Sequence, residues 1–210
     1  LAKIDGKPMI EHVYERVKKA ENIDEVLVAT DDERIKEAVI DFEGKVEMTS
    51  SEHKSGTDRV AEVARELDVD IIVNVQGDEP LIEPVMIDQA IRPFKDNNDL
   101  VMSTLKKKIV NLNEINNPNV VKVITDKNNY ALYFSRSTIP YKREDSNFEA
   151  EYYKHIGLYV YKKDFLLKYS EMETTSLEKT ESLEQLRVLE NGYKIKVVET
   201  AFDTVGVDTP

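Results

Sequence analysis

The chain has 210 residues, 40% of them hydrophobic, and its 29 basic and 41 acidic side chains leave a formal net charge of −12. That apolar fraction supports a packed core and excludes a disordered chain, while the charge excludes a general nucleic-acid or anionic-membrane binder, whose partner the average field would repel. The absence of cysteine removes disulfides, thiolate catalysis and Cys-ligated zinc, and three dispersed histidines give no His-based metal site.

In chain order, Ile10, Val13, Tyr14 and Val17 fall at i, i+3, i+4 and i+7 and predict a helix over 8–20. A strand over 25–30 follows. Asp31 or Asp32 caps the next helix, which carries Ile35, Ala38 and Val39 inward and stops at Gly44, before a strand over 45–48. Val60, Val63, Ala64 and Leu67 repeat the helical spacing, and residues 71–75 form a nearly continuous apolar run. Short apolar runs between helices signal parallel strands covered on both faces, so the chain to about residue 95 predicts a doubly wound α/β sheet. The middle changes character. Runs at 99–105, 120–126, 130–135 and 151–161 are strand-like with too few helices for crossovers, which predicts mixed or antiparallel pairing. Helices at 163–169 and 177–190, the latter ended by Asn191-Gly192, precede a last strand over 194–200. No run reaches the 18 apolar residues of a membrane span, and a soluble, cytoplasmic protein is expected. Residues 1–210 read as a single domain.

The segment Ile71-Ile-Val-Asn-Val-Gln-Gly-Asp-Glu-Pro80 ends a buried strand in a glycine turn, presenting Gln76, Asp78 and Glu79 at the sheet edge where open α/β sheets bind ligands. Asp78 suits Mg²⁺, which favours one or two carboxylates plus phosphate oxygens; the plainer reading is a turn aspartate. Asp208, in Gly206-Val-Asp-Thr-Pro210, could complete a two-carboxylate magnesium site or simply begin a helix. The polar run 49–59 opens a helix whose free N–H groups, hydroxyls and Arg59 suit a nucleotide, although Ser55 with Asp58 also reads as a capping box. Arg136, Lys142 and Arg143 gather within eight residues as a candidate carboxylate pocket or a solvated charge run. His155 lies inside a strand pattern, where an isolated histidine is usually structural, and Glu184 and Gln185 fall on the exposed face of an amphipathic helix.

Taken together, Gly6-Lys-Pro-Met-Ile10, the run 49–59, Val73-Asn-Val-Gln-Gly-Asp-Glu-Pro80, Asn117-Pro-Asn-Val-Val-Lys-Val123, Ala131-Leu-Tyr-Phe-Ser-Arg136, His155-Ile-Gly157, Leu183-Glu-Gln-Leu-Arg-Val-Leu189 and Gly206-Val-Asp-Thr-Pro210 resemble, in order, the 3-deoxy-manno-octulosonate (Kdo) cytidylyltransferases, the CMP-Kdo synthetases. The resemblance covers essentially the whole chain. It implies a Rossmann-like, doubly wound mixed sheet of the nucleotide-diphospho-sugar transferase type with an antiparallel dimerisation section in the middle. The implied reaction joins CTP and Kdo into CMP-Kdo and pyrophosphate with Mg²⁺, in a cytoplasmic homodimer serving lipopolysaccharide biosynthesis.

By position, Asp78 and Asp208 match the family's magnesium aspartates, and Ser55, Gly56, Thr57 and Arg59 fall in its cytidine-binding block. Gln76, Arg136, His155, Glu184 and Gln185 match positions around the sugar acid, with Arg136 acting beside the two aspartates in catalysis. In so acidic a chain, the cationic help for two anionic substrates is expected from Arg59, Arg136, His155, Mg²⁺ and the family's phosphate-gripping loop. The family's first strand, its phosphate-gripping loop and a C-terminal helix have no counterpart in these 210 residues. The strand-rich section around 151–161 is the expected dimer surface. Alternatives are a cytidylyltransferase for another sugar acid, such as an 8-amino Kdo analogue or a nonulosonic acid, and a non-catalytic nucleotide-binding relative.

Overall fold

A computed structural model describes residues 2–53, 55–143, 149–204 and 206. The chain opens in a short hairpin, β1 (Lys3–Ile4) and β2 (Lys7–Pro8), whose turn places Asp5 and Gly6 at φ 47° and 83°. Gly6 takes this left-handed backbone without steric cost. Helix α1 (Met9–Val17) follows and buries Val13 and Val17. Next come β3 (Val28–Thr30), α2 (Glu33–Asp41) and β4 (Val46–Met48). Asp32 caps α2 by accepting the Arg34 N–H at 2.8 Å, as an N-cap aspartate should. Helix α3 (Gly56–Arg65) leads to β5 (Ile71–Asn74), and α4 (Pro84–Ile91) and α5 (Pro93–Asp96) close the first half.

The second half carries β6 (Met102–Lys108), β7 (Lys122–Thr125), β8 (Ala131–Ser135) and the long β9 (Tyr153–Lys162). Helices α6 (Lys163–Ser170), α7 (Ser176–Glu181) and α8 (Gln185–Glu190) and strand β10 (Lys196–Glu199) complete it. The single helix expected over 177–190 is two helices. Ser182 adopts φ 51°, ψ 53°, a left-handed conformation that ends α7 and redirects the chain into α8.

The sheets match the mixed α/β expectation. β3 and β4 are parallel, and the main sheet runs β10-β6-β9-β7-β8 with β5 also on β9. β10 is parallel to β6, whereas β5, β6 and β7 all run antiparallel to β9. Apolar side chains leave this sheet in both directions. On one face Ile156, Leu158 and Val160 of β9 pack with α1 and α4; on the other Tyr161 packs with Ala61 and Ala64 of α3, Phe165 of α6 and Leu186 of α8. Each such side chain, once buried, stabilises the fold by about 1.5–3 kcal/mol.

β9, within the section expected to form the dimer surface, is the centre of the sheet: other strands pair along it on both sides, and none of its ten residues is exposed. The parallel pair β3–β4 is also separated from β5, so the first half is not one continuous parallel sheet among the described residues. Between β3 and β5 lies a cavity of about 1230 Å³, lined by Val28 and Ala29 on one side and Ile71 and Val73 on the other.

Candidate active site

The site forms where the carboxyl end of β5, the N-terminus of α3 and the start of α8 meet. Ser55 caps α3, its Oγ accepting the Asp58 N–H at 3.1 Å, so the capping reading of this run holds. Thr57 is buried in the first turn and its Oγ1 donates to Glu184 Oε2 at 2.8 Å. This bond joins residues 127 apart in sequence. Gly56 lies beside Gln76: a Cβ at position 56 would sit 3.9 Å from Gln76 Oε1. Arg59 turns back from the helix to Asp31, with Nη2 3.1 Å from Oδ2, and donates to Thr49 Oγ1. Its charge lies at the α3–β3 side of the cleft, already partnered by a carboxylate. Asp78 follows in the turn after β5, where the Glu79 N–H bonds the Gln76 carbonyl at 3.3 Å.

The sugar-side candidates lie on β9 and α8. The β6–β9 ladder skips from Thr104↔Tyr159 to Leu105↔Ile156, leaving Gly157 and Leu158 as extra residues in a bulge, a device that re-aims neighbouring side chains. Across it, the His155 and Tyr159 rings approach to 5.5 Å between centroids. Thr104 Oγ1 has one proton, which goes to Leu158 O at 2.8 Å or Ile156 O at 3.1 Å. Its 2.9 Å contact with His155 Nε2 is therefore donated by the histidine, and Nδ1 is left as an acceptor. Burial pulls the imidazole down to about 3. His155 is thus neutral near pH 7 and supplies no cationic help, which corrects that expectation; a hydroxyl is the group its Nδ1 suits.

Glu184 and Gln185 are not an exposed face. Gln185 is buried and accepts the Tyr159 hydroxyl on Oε1 at 3.2 Å, and the Tyr169 hydroxyl donates to Glu184 O at 2.7 Å. Burial pushes the Glu184 carboxyl up, opposed by the Thr57 hydrogen bond and the nearby Arg187. Arg187 is itself held by the buried Glu178 at 2.5 and 2.8 Å and lies 4.9 Å from the Tyr169 ring centre. Sequence reasoning missed Tyr159, because its contact with Gln185 crosses from strand to helix.

Arg136 is differently placed from the carboxylate fork expected of it. Three of its N–H groups meet backbone carbonyls: Glu181 at 2.7 Å, Pro118 at 3.1 Å and Ser182 at 3.4 Å. It ties the loop before β7 to the end of α7. Buried Lys122 braces the same loop through the carbonyls of Asn117, Val120 and Arg136 at 2.9, 2.6 and 2.6 Å. Lys142 and Arg143 are exposed. Asp208 lies outside the described residues. Among those described, no three His, Asp or Glu side chains cluster as a metal site; Asp78 at a strand end, near the N-terminus of α3, is a fit for an ion that takes few protein carboxylates.

A two-faced mixed sheet, with a polar cleft between a strand's carboxyl end and a helix N-terminus, is a Rossmann-like arrangement suited to a nucleotide, and the chain is a nucleotidyltransferase. The model of the Cytidylyltransferase family matches residues 1–195, and the chain belongs to that family. Among curated relatives, the 3-deoxy-manno-octulosonate cytidylyltransferase of Geotalea uraniireducens is 59% identical over all of this chain and 87% of its own length. That of Fusobacterium nucleatum is 58% identical over all of this chain and 84% of its own. Among solved structures, CMP:2-keto-3-deoxy-manno-octonic acid synthetase complexed with CTP superposes with a TM-score of 0.94 at 45% identity, covering 100% of this chain and 86% of that one. The inositol-1-phosphate CTP transferase of T. maritima shares the fold alone, at TM-score 0.68 and 15% identity, over 100% of this chain and 80% of its own.

Proposed function

We propose that this chain activates 3-deoxy-manno-octulosonate with CTP, giving CMP-Kdo and pyrophosphate for lipopolysaccharide biosynthesis. The observation that carries the reading is the Thr57–Glu184 hydrogen bond, which brings the nucleotide block and the start of α8 into one cleft. Ser55, Gly56 and Thr57 receive the nucleotide at the N-terminus of α3, where free N–H groups and the helix dipole favour anionic and polar acceptors. Arg59 holds that helix against Asp31. Gln76, His155, Glu184 and Gln185 orient the sugar acid through hydrogen bonds, with Glu184 as an acceptor. Arg136 acts by fixing the 117–120 loop and the end of α7, with two N–H groups left for a substrate oxygen.

In the reaction, the hydroxyl on the anomeric C2 of Kdo forms a bond to the α-phosphorus in line as the α–β phosphoanhydride bond breaks. Its proton passes to water and pyrophosphate carries away the electron pair. Holding both reactants in one cleft converts a bimolecular step into a near-unimolecular one. Asp78 and Asp208 would hold Mg²⁺, whose chemistry is to offset charge on the phosphate oxygens. A cytoplasmic homodimer remains part of the proposal. Exposed Val110, Leu112, Leu132 and Tyr141 are available to its contact.

The test is turnover of CTP and Kdo by the full-length protein and by Asp78→Asn. The variant should lose about 100-fold or more in kcat with an unchanged circular dichroism spectrum; near-normal kcat removes Asp78 from the reaction. Comparing kcat/KM for Kdo, 8-amino Kdo and a nonulosonic acid separates this substrate from its analogues.

A further inference from the structure

Asn74 is polar within the apolar run of β5, and nothing above uses it. It is only 5% exposed and its Nδ2 has no hydrogen-bond partner. Gln185, 3% exposed, has the same feature at Nε2. Buried amide N–H groups without acceptors are few in folded proteins, since each forfeits its bonds to water. Two that share one wall call for a ligand.

They do share one. Asn74 stands directly opposite Tyr159 in the β5–β9 ladder, a spacing that brings cross-strand Cβ atoms to about 4.5–5.5 Å on one face. Ile72, two residues earlier on the same face, packs in the core that includes Tyr159 and Tyr161. The Tyr159 hydroxyl in turn occupies the Oε1 side of the Gln185 amide, which leaves the NH₂ side turned away from the tyrosine. The neighbouring groups are acceptors: Nδ1 of His155 and the Glu184 carboxylate.

We propose that Asn74 is a further substrate-contacting residue, its NH₂ donating with that of Gln185 to a hydroxyl oxygen of the sugar acid. A wall that pairs amide donors with carboxylate and imidazole acceptors matches a hydroxyl, which both accepts and donates, better than a carboxylate, which Glu184 would repel. The inference rests on the reading of this protein as a Kdo cytidylyltransferase and extends it to how the sugar is chosen.

The experiment measures KM for Kdo and for CTP, together with Tm, in the full-length protein and in Asn74→Asp and Asn74→Val. Asp keeps the shape and removes the donor; Val suits a strand and removes the unpaired group. The expected result is a Kdo KM raised about tenfold, a CTP KM within about twofold, and, for Asn74→Val, a Tm no lower than wild type. Kdo analogues each lacking one hydroxyl supply a second readout: the analogue that binds worst to wild type should lose no more with Asn74→Asp. An unchanged Kdo KM in a folded variant, or CTP and Kdo KM values that rise together with a falling Tm, overturns the inference. Failure of the wild-type protein to form CMP-Kdo would instead overturn the reading beneath it.

Discussion

His155 shows how one buried side chain sets a pH dependence. Unfolded, its ring titrates near 6.5; folded, burial brings it to about 3. Between those values the unfolded chain holds the extra proton, so stability is full above about 6.5 and falls as the pH drops below it, by at most about 1.4 kcal/mol per pH unit. The raised Glu184 carboxyl works in the opposite sense at lower pH, so the comparison must be between variants. Urea unfolding of wild type and His155→Gln from pH 7.5 to 5 should show a shallower slope in the variant; parallel slopes would mean that the ring is protonated in the folded protein. Arg136 is the other instructive side chain. Three basic residues within eight read equally well as a pocket or as a solvated run, yet the guanidinium is a strut whose partners are carbonyls. Carbonyls belong to every residue and leave no pattern in a sequence.

At the scale of elements, α7 and α8 form a unit that aims the substrate side of the cleft. Glu178 on α7 and Arg187 on α8 pair inside it, both under a tenth exposed. Removing one partner of such a pair leaves a buried charge and costs about 3–5 kcal/mol. Glu178→Ala should lose stability of that order in chemical denaturation, and Glu178→Leu combined with Arg187→Leu should recover part of it; a loss below about 1 kcal/mol would show that water reaches Arg187. The Leu183, Leu186 and Leu189 spacing made one helix of 177–190 the natural expectation. Apolar periodicity continues through Ser182 because α8 buries the same kind of face, and a left-handed residue interrupts the backbone without interrupting the pattern. By contrast α3 was legible, since Val60 and Ala64 recur at helical spacing and Ser55 announces its start. The mixed pairing of the second half was legible too. Which strand lay in the middle was not, because β9's tyrosines and aliphatic residues suit a central strand and an interface equally well. Of the candidate site, Gly56 of the polar run 49–59 and Gln76 at the end of β5 lie side by side, while Asn74 and Tyr159 meet only through strand pairing.

For the whole molecule, the −12 charge and the engaged cations of the candidate site belong together. Arg59 is partnered by Asp31, His155 is uncharged and Arg136 is engaged with the backbone, so on the proposed reading most of the compensation for anionic substrates would fall to helix N–H groups and a bound metal ion. The same molecule has two cores, one on each face of the main sheet, and these do not extend across the gap between β3 and β5.

That gap has a consequence for solvent. In β3 the Val28 N–H bonds the Lys45 carbonyl at 2.9 Å and the Thr30 carbonyl accepts from Thr49 at 2.9 Å, so the alternation of a parallel strand turns the Ala29 N–H to the opposite edge, toward the cavity. Water in that space can reach it. In deuterated buffer the Ala29 amide should therefore exchange faster than the Val28 amide one residue away, as read by nuclear magnetic resonance, and equal protection would mean that the edge is closed. A third parallel strand laid into the gap would erase the difference, making the exchange rate of this one amide a direct gauge of whether the two halves of the sheet have been joined.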